Sequence, residues 1–348
     1  MEKLCKRDSR LDLIRIFSLF CVAGIHFFLN SGFYSQMVSG KRMFIMCIFR
    51  SFFIICVPMF ITLTGYLMNK KTISKKYYKG LFKTLIIYLI CSVIYFIFSK
   101  LYLHEEISII MFIKNLLSFD GTRYSWYIEM YIGLFLLIPF FNIIFNNLNS
   151  QKETKILLFT LMILLGVPSI MNIFKISINW WESIYPIFYY FLGAYLSKYK
   201  INLSRFCNIL FLIITLILDG LLNFYISNGV EYTWGTWNTY SSLLIMISTF
   251  LVFNLLLTIK INDNKTKSFI LKTLSDACLG AYLISCIFDN IYYDKLANII
   301  PIVKDRFIYA PILIILVFIS SLLSSILINL FYNLIKFLCK KIKHKLIS

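Results

Sequence analysis

Charge is scarce in this chain: Asp, Glu, Lys and Arg make up 15% of its residues, and only 16 of them are acidic. A soluble domain carries about a quarter, so there is too little charge here to coat a water-exposed surface. Histidine is rarer still. Of the three, His344 falls in a basic tail, and a histidine-based metal site is not expected. No glycine-rich phosphate loop or G-x-G-x-x-G fingerprint occurs, which argues against an ATP-driven pump or a dinucleotide-binding α/β enzyme. The nine cysteines are odd in number and include no C-x-x-C. Six of them (Cys21, Cys47, Cys56, Cys91, Cys278, Cys286) fall inside apolar runs, so they read as small apolar residues and not as a disulfide framework. No inverted repeat of the transporter kind is visible.

Apolar surface is what the chain has in excess. Hydrophobic residues make up 59% and aromatics 18%, with a mean hydropathy of +0.79. Runs of membrane-spanning length recur from end to end. They predict an all-α polytopic membrane protein, a single domain over 1–348, with ten helices near 11–33, 42–69, 81–103, 127–148, 155–174, 181–197, 207–227, 240–260, 277–295 and 308–337. The sixth is short, and the fourth carries Pro139. Residues 107–118 are too short to span and are expected to lie on or dip into the outer surface.

The net charge of +19 invites a nucleic-acid reading, but its distribution points elsewhere. With both termini cytoplasmic and the spans alternating, inner segments hold 24 Lys and Arg, outer loops hold nine, and Arg15 and Arg50 lie within spans. That is the positive-inside pattern. The basic charge therefore reads as topology and contact with anionic lipid, with no nucleic-acid partner. A multi-pass protein of the cell membrane is expected. The first span carries a charge and lacks a small-residue exit, so no cleavable signal peptide is expected.

Against this apolar background the intramembrane ionisable residues stand out. Arg15 and His26 are eleven residues apart in the first span, which on a helix is three turns plus about 20°, so they share a face with roughly 16 Å between them. An arginine at membrane depth costs about 2.5–3.5 kcal/mol to insert and normally faces the protein interior. Histidine is the side chain best suited to moving a proton near neutral pH. The assumed topology puts Arg15 a turn inside the inner surface and His26 at a depth similar to Arg50. Asp219, Glu129, Glu182 and Asp289 also gather toward the outer side, which suggests a site entered from two sides. Plainer roles compete with each of these. His26 can be an interhelical hydrogen-bond partner, Arg15 can snorkel or pair with Asp12, and Lys75, Lys76 and Lys79 can be simple positive-inside charges. Trp126 and Tyr127 fit an interfacial aromatic belt. Glu129 and Asp219 can cap helices or line a wet crevice.

Several stretches resemble the membrane acyltransferase-3 family. RLDLIRIFSLFCVAGIHF matches its first helix, an arginine and a histidine with ten residues between them, met here by Arg15 and His26. Arg50 with VPMFITLTGYLMNKK (57–71) is similar to the second-helix pattern, through Pro58, Phe60, Thr64, Gly65 and Tyr66. YSWYIEMYIGLFLLIPFFNIIF (124–145) and LSDACLGAYLIS (274–285) resemble the tryptophan-led and ninth helices. The four stretches fall in the family's order. Two departures stand out: the family's R-x-x-R after helix 2 is represented by Lys76 and Lys79, which keep the charge but lose the bidentate fork, and Ser285 stands where the ninth-helix motif often ends in histidine.

The resemblance implies a membrane O-acyltransferase moving an acyl group, expected to be acetyl, from acetyl-CoA to a hydroxyl of a cell-envelope glycan. His26 would be the general base and Arg50 its catalytic neighbour at the oxyanion or acceptor. Arg15, Lys76 and Lys79 would be donor-side charges, and Asp12, Glu129, Asp219, Tyr66 and Trp126 acceptor or orienting candidates. Acyl-CoA and the glycan act as substrates, with no permanently bound cofactor and no metal. The hydroxyl of Tyr66 or Thr64, or His26 itself, offers a place for a covalent acyl group. The competing reading is a polysaccharide or small-molecule transporter or exporter, disfavoured by the missing repeat. A membrane sensor or scaffold is disfavoured by the lack of any soluble appendage.

Overall fold

The computed structural model describes residues 7–262 and 264–347, with side chains through residue 338. Lys3 and Lys6, counted above among the inner charges, lie outside the described residues, as does the domain's extension over 1–6, 263 and 348. The protein is an all-α polytopic membrane protein. Among the described residues nine helical segments are long and apolar enough to cross a membrane, and no strand forms beyond an isolated bridge between Val38 and Asn228.

The helices are α1 (Ser9–Asn30), α2 (Gly40–Phe53), α3 (Cys56–Met68), α4 (Lys75–Tyr78), α5 (Leu81–Leu101), α6 (Ile109–Leu117), α7 (Trp126–Asn146), α8 (Gln151–Met171), α9 (Tyr185–Lys198), α10 (Arg205–Ile226), α11 (Leu243–Leu257), α12 (Lys265–Ile299), α13 (Val303–Arg306) and α14 (Ala310–Ile347). Asp8 starts α1 by accepting from the Arg10 amide, and the helix then runs through the middle of the bundle against α12, α3 and α14. That placement buries much of a span that carries Asp12, Arg15 and His26, so these side chains meet protein instead of lipid.

Three expected elements differ in detail. The run over 42–69 is a broken helix: α2 ends at Phe53 and α3 begins at Cys56. Pro58 has no N–H to give the Ile54 carbonyl, and the ladder resumes with Met59 donating to Ile55. Such breaks at membrane depth are tolerated where they face protein or a cavity, and this one lines the site described below. The expected sixth span is the 14-residue α9, about 21 Å long and short of a hydrocarbon core of about 30 Å. It is buried along most of its length between α3, α7, α8 and α11. Gly193 lies against the Thr62 carbonyl and Gly65 against that of Tyr190, and a Cβ at either would collide with backbone. Small residues at both contact points are what let α3 and α9 approach so closely. The expected 277–295 span is the 35-residue α12, which begins at Lys265. The α6 helix buries none of its residues, as a surface-lying segment requires.

Asp276 in the first third of α12 takes an ion pair from Arg7, and its carbonyl accepts from Asn329 midway along α14. The segment entering α1 and the second half of α14 therefore lie toward one end of the bundle, called here the near end; the loops after α1 and α10 form the far end.

Candidate functional site

Two cavities enter the bundle from opposite ends. The far-end cavity, of about 260 Å³, is lined by His26, Arg50, Tyr34, Tyr124, Trp126 and Trp234 among others. The near-end cavity, of about 300 Å³, takes Arg15, Lys83, Thr64, Tyr127, Tyr131 and Asp276 among its lining residues. Val57 and Tyr282 line both.

His26 is held by its Nδ1. The Asp289 carboxylate lies 3.1 Å away, and the Ser285 hydroxyl 3.5 Å. Both come from α12, four residues apart and so on one face. The Asp289 Oδ2 also accepts from the Tyr124 hydroxyl at 2.7 Å, and the Tyr124 ring stacks on the imidazole with centroids 3.9 Å apart. A carboxylate is acceptor-only, so it draws the proton of the neutral ring to Nδ1 and leaves the Nε2 lone pair as the basic position. Burial, reinforced by the neighbouring Asp289, holds the Tyr124 phenol well above its usual range, so it stays a donor. The imidazole, the carboxylate that orients it and a fixed ring face thus come from α1, α12 and the loop before α7.

Arg50 is wholly buried. One terminal nitrogen donates to the Asn238 carbonyl at 3.0 Å, and Nε lies 3.4 Å from the Tyr34 hydroxyl. The guanidinium sits over the rings of Tyr232 and Trp234, 5.2 and 5.4 Å from their centroids. Its remaining nitrogen has no hydrogen-bond partner among the described residues. Asp219 on α10 is buried, with both oxygens unpartnered among the described residues, and lies within Coulombic reach of Arg50. The rim is aromatic: Trp126 stacks on Tyr240, and Trp234 packs on Tyr34 with centroids 4.7 Å apart.

At the near end, Arg15 donates to the Ser275 hydroxyl at 2.8 Å and shares the cavity with Lys83. Asp12 does not pair with Arg15. Its carboxylate takes a bidentate pair of bonds from Arg7 at 2.7 and 2.6 Å, and it lines neither cavity. Lys76 and Lys79 are exposed and also line neither; Lys83, four residues further along, lines the near cavity. Glu129 is exposed in the first turn of α7, where the helix dipole favours a carboxylate. Tyr66 packs near Phe253 away from both cavities, whereas Thr64 reaches the near one with its hydroxyl bonded to the Phe60 carbonyl.

The structure thus joins His26, Arg50 and Trp126 at one cavity and sets Arg15 at the other. Reasoning from sequence missed Asp289 as the partner of His26, together with Tyr124, Trp234 and Lys83. The signal for Asp289 was present, since a carboxylate in a span is a site by default, and Ser285 marks the same face one turn earlier. Nothing in the sequence singles out Trp234. Among the described residues no group of three or more His, Cys, Asp or Glu is arranged to hold a metal.

The family model of the acyltransferase domain, Acyl_transf_3, matches residues 8–330. No curated protein and no solved structure matches the chain.

Proposed function

We propose that this chain, which belongs to the acyltransferase-3 family and is a membrane acyltransferase, transfers an acetyl group from acetyl-CoA to a hydroxyl of a cell-envelope glycan in the cell membrane. The observation that carries this reading is the His26–Asp289 pair at a cavity distinct from the one holding Arg15 and Lys83. Acyl transfer needs a base within reach of the acceptor hydroxyl and cations near the phosphorylated donor. In this reading the acceptor enters at the far end and the donor at the near end. The Nε2 of His26 takes the acceptor's proton as its oxygen bonds to the thioester carbonyl carbon. The C–S bond then breaks, and the CoA thiolate leaves with the proton returned by the imidazolium. Arg50 supplies a fixed positive field where negative charge develops on the carbonyl oxygen. Arg15 and Lys83 meet the donor's phosphates. The exposed faces of Trp126 and Trp234 suit the apolar face of a sugar ring, an apolar body with polar edges like their own.

The test has two arms. Cells carrying the chain are compared with cells lacking it for ester-linked acetate on envelope polysaccharide; equal acetate in the two overturns the reading. Reporters fused after residues 34, 150 and 235 are expected to read outside, inside and outside, because the basic asymmetry would otherwise be inverted. An inside reading at 34 would put the base on the donor's side and break the two-sided scheme.

A further inference from the structure

The near and far cavities meet at Tyr282 and Val57, the two residues that line both. Tyr282 is 5% exposed. Its ring meets Tyr127 of the near cavity edge-on at 5.3 Å between centroids. It also lies 6.2 Å from Tyr124 and 6.4 Å from His26 of the far cavity. The ring therefore stands between the donor-side lining and the base. Among the described residues the Tyr124 hydroxyl is tied to the Asp289 carboxylate, whereas no such bond is found for the hydroxyl of Tyr282, which lines both cavities. Val57, which lines both cavities with it, lies on α3, one residue before Pro58 and just past the turn at Ile54–Ile55 that breaks α2 from α3.

We propose that Tyr282 and Val57 form the throat through which the acyl group reaches His26, and that the bulk of Tyr282 selects for small, unbranched acyl groups. The inference rests on the reading above for the identity of the donor. A thioester presented from the near cavity must place its carbonyl carbon beyond Tyr282 to meet a hydroxyl held at the Nε2 of His26. Its acyl substituent then occupies the space between the Tyr282 ring and Val57. Acetyl adds only a methyl group there, whereas an isobutyryl group adds a branched carbon directly against the ring. One methylene more or less in an apolar site changes discrimination by about 10–200-fold, so a single aromatic ring suffices to set the limit. With no donor present, the closed ring keeps water and protons from crossing between the cavities.

The experiment uses the full chain in proteoliposomes. Transfer rates with acetyl-, propionyl-, butyryl- and isobutyryl-CoA are compared for the wild type, Tyr282→Phe, Tyr282→Ala and Val57→Ala. The isobutyryl-to-acetyl ratio is expected to rise at least about tenfold in Tyr282→Ala, to rise less in Val57→Ala, and to stay unchanged in Tyr282→Phe, which keeps the ring. An unchanged ratio in active Ala variants overturns the proposal. A second readout needs no activity. In a background with the nine native cysteines replaced, Thr64→Cys and Thr239→Cys report on the near and far cavities. A charged, membrane-impermeant thiol reagent should label Thr64→Cys only from the near end and Thr239→Cys only from the far end. Adding Tyr282→Ala should let near-end reagent reach Thr239→Cys, and failure to do so overturns the throat. If the wild type transfers nothing from any acyl-CoA while the labelling pattern holds, the donor assignment fails and the throat stands.

Discussion

The two cavities hold similar numbers of polar groups but treat them in opposite ways. At the far end the two cavity-lining groups His26 and Arg50 are each held by several others: His26 by Asp289, Ser285 and Tyr124, and Arg50 by Asn238, Tyr34 and two aromatic rings. At the near end Arg15 keeps one side-chain bond, to Ser275, and Lys83 is exposed. A group that moves a proton needs a fixed nitrogen and a fixed tautomer, which costs neighbours and burial. A group that attracts a phosphate needs only charge and reach. In the proposed reading, rigidity separates the chemical end from the binding end, and substitutions at the two ends should fail in different ways.

The largest effect is expected at His26. His26→Ala should lower acyl transfer by about 10²–10⁴-fold, the usual worth of a positioned general base. The protein should still insert and accumulate, since an apolar residue in a span is cheap. His26→Gln should be nearly as damaging, because an amide hydrogen-bonds but takes no proton. Wild-type acetate on the polysaccharide with His26→Ala at matched expression would remove the base from the mechanism. Intact acetate with lost polysaccharide export would instead favour a transporter.

Asp289→Asn tests whether orientation, beyond the base itself, marks the far end. The amide can present its NH₂ to Nδ1 and drive the ring proton to Nε2, the wrong tautomer. In the subtilisin triad, losing the aspartate costs nearly two orders of magnitude less than losing the histidine. A loss of about 10–10²-fold in kcat with the acceptor KM nearly unchanged is therefore expected. Tyr124→Phe, which removes one bond to the same carboxylate and keeps the stacked ring, should cost less. An unaffected kcat in Asp289→Asn would reduce the pair to a structural contact.

Arg50 separates charge from shape. Its guanidinium is used as a plane, with one edge toward Asn238 and Tyr34 and its face over Tyr232 and Trp234. A lysine keeps the charge and loses all of that geometry. Arg50→Lys is expected to lose about tenfold in transfer rate, on the scale of a hydrogen bond to a charged group, and to approach Arg50→Ala. A lysine variant near wild type would show that charge alone suffices here, and the contrast with the near end would weaken.

These contrasts also show how far the sequence could be read. Arg15, His26 and Arg50 were legible because depth in a membrane is written in one dimension, and an ionisable residue at depth has few innocent explanations. The kink after Phe53 was legible in principle from Pro58. What joins Asp289 to His26 was not, because 263 positions separate them and only the packing of α1 on α12 brings them together. Asp12 misled for the same reason: it lies one turn from Arg15, yet a residue outside the span, Arg7, takes its carboxylate. Lys83 was passed over because the family pattern ends earlier, and which lysine of a basic stretch faces a cavity depends on a helix rotation that spacing alone does not reveal.

The smallest effect, and the one that most sharpens the difference between the ends, concerns the lysines. Lys83 lines the near cavity, and Lys76 and Lys79 do not. Exposed charge contacts are worth at most about 1 kcal/mol, so Lys83→Gln should raise the donor KM by about two- to fivefold and leave kcat alone. The double change Lys76→Gln with Lys79→Gln should leave the donor KM within about twofold, since neither side chain reaches the cavity, while weakening the basic signal that orients the chain. Added salt should reproduce most of the Lys83→Gln effect in the wild type and little further in the variant, because both act on the same screened contact. The reverse outcome, with the pair raising the KM and Lys83 silent, would return the donor site to the lysines that the family pattern marks. It would also mean that the phosphates bind outside the near cavity, on the exposed turn of α4.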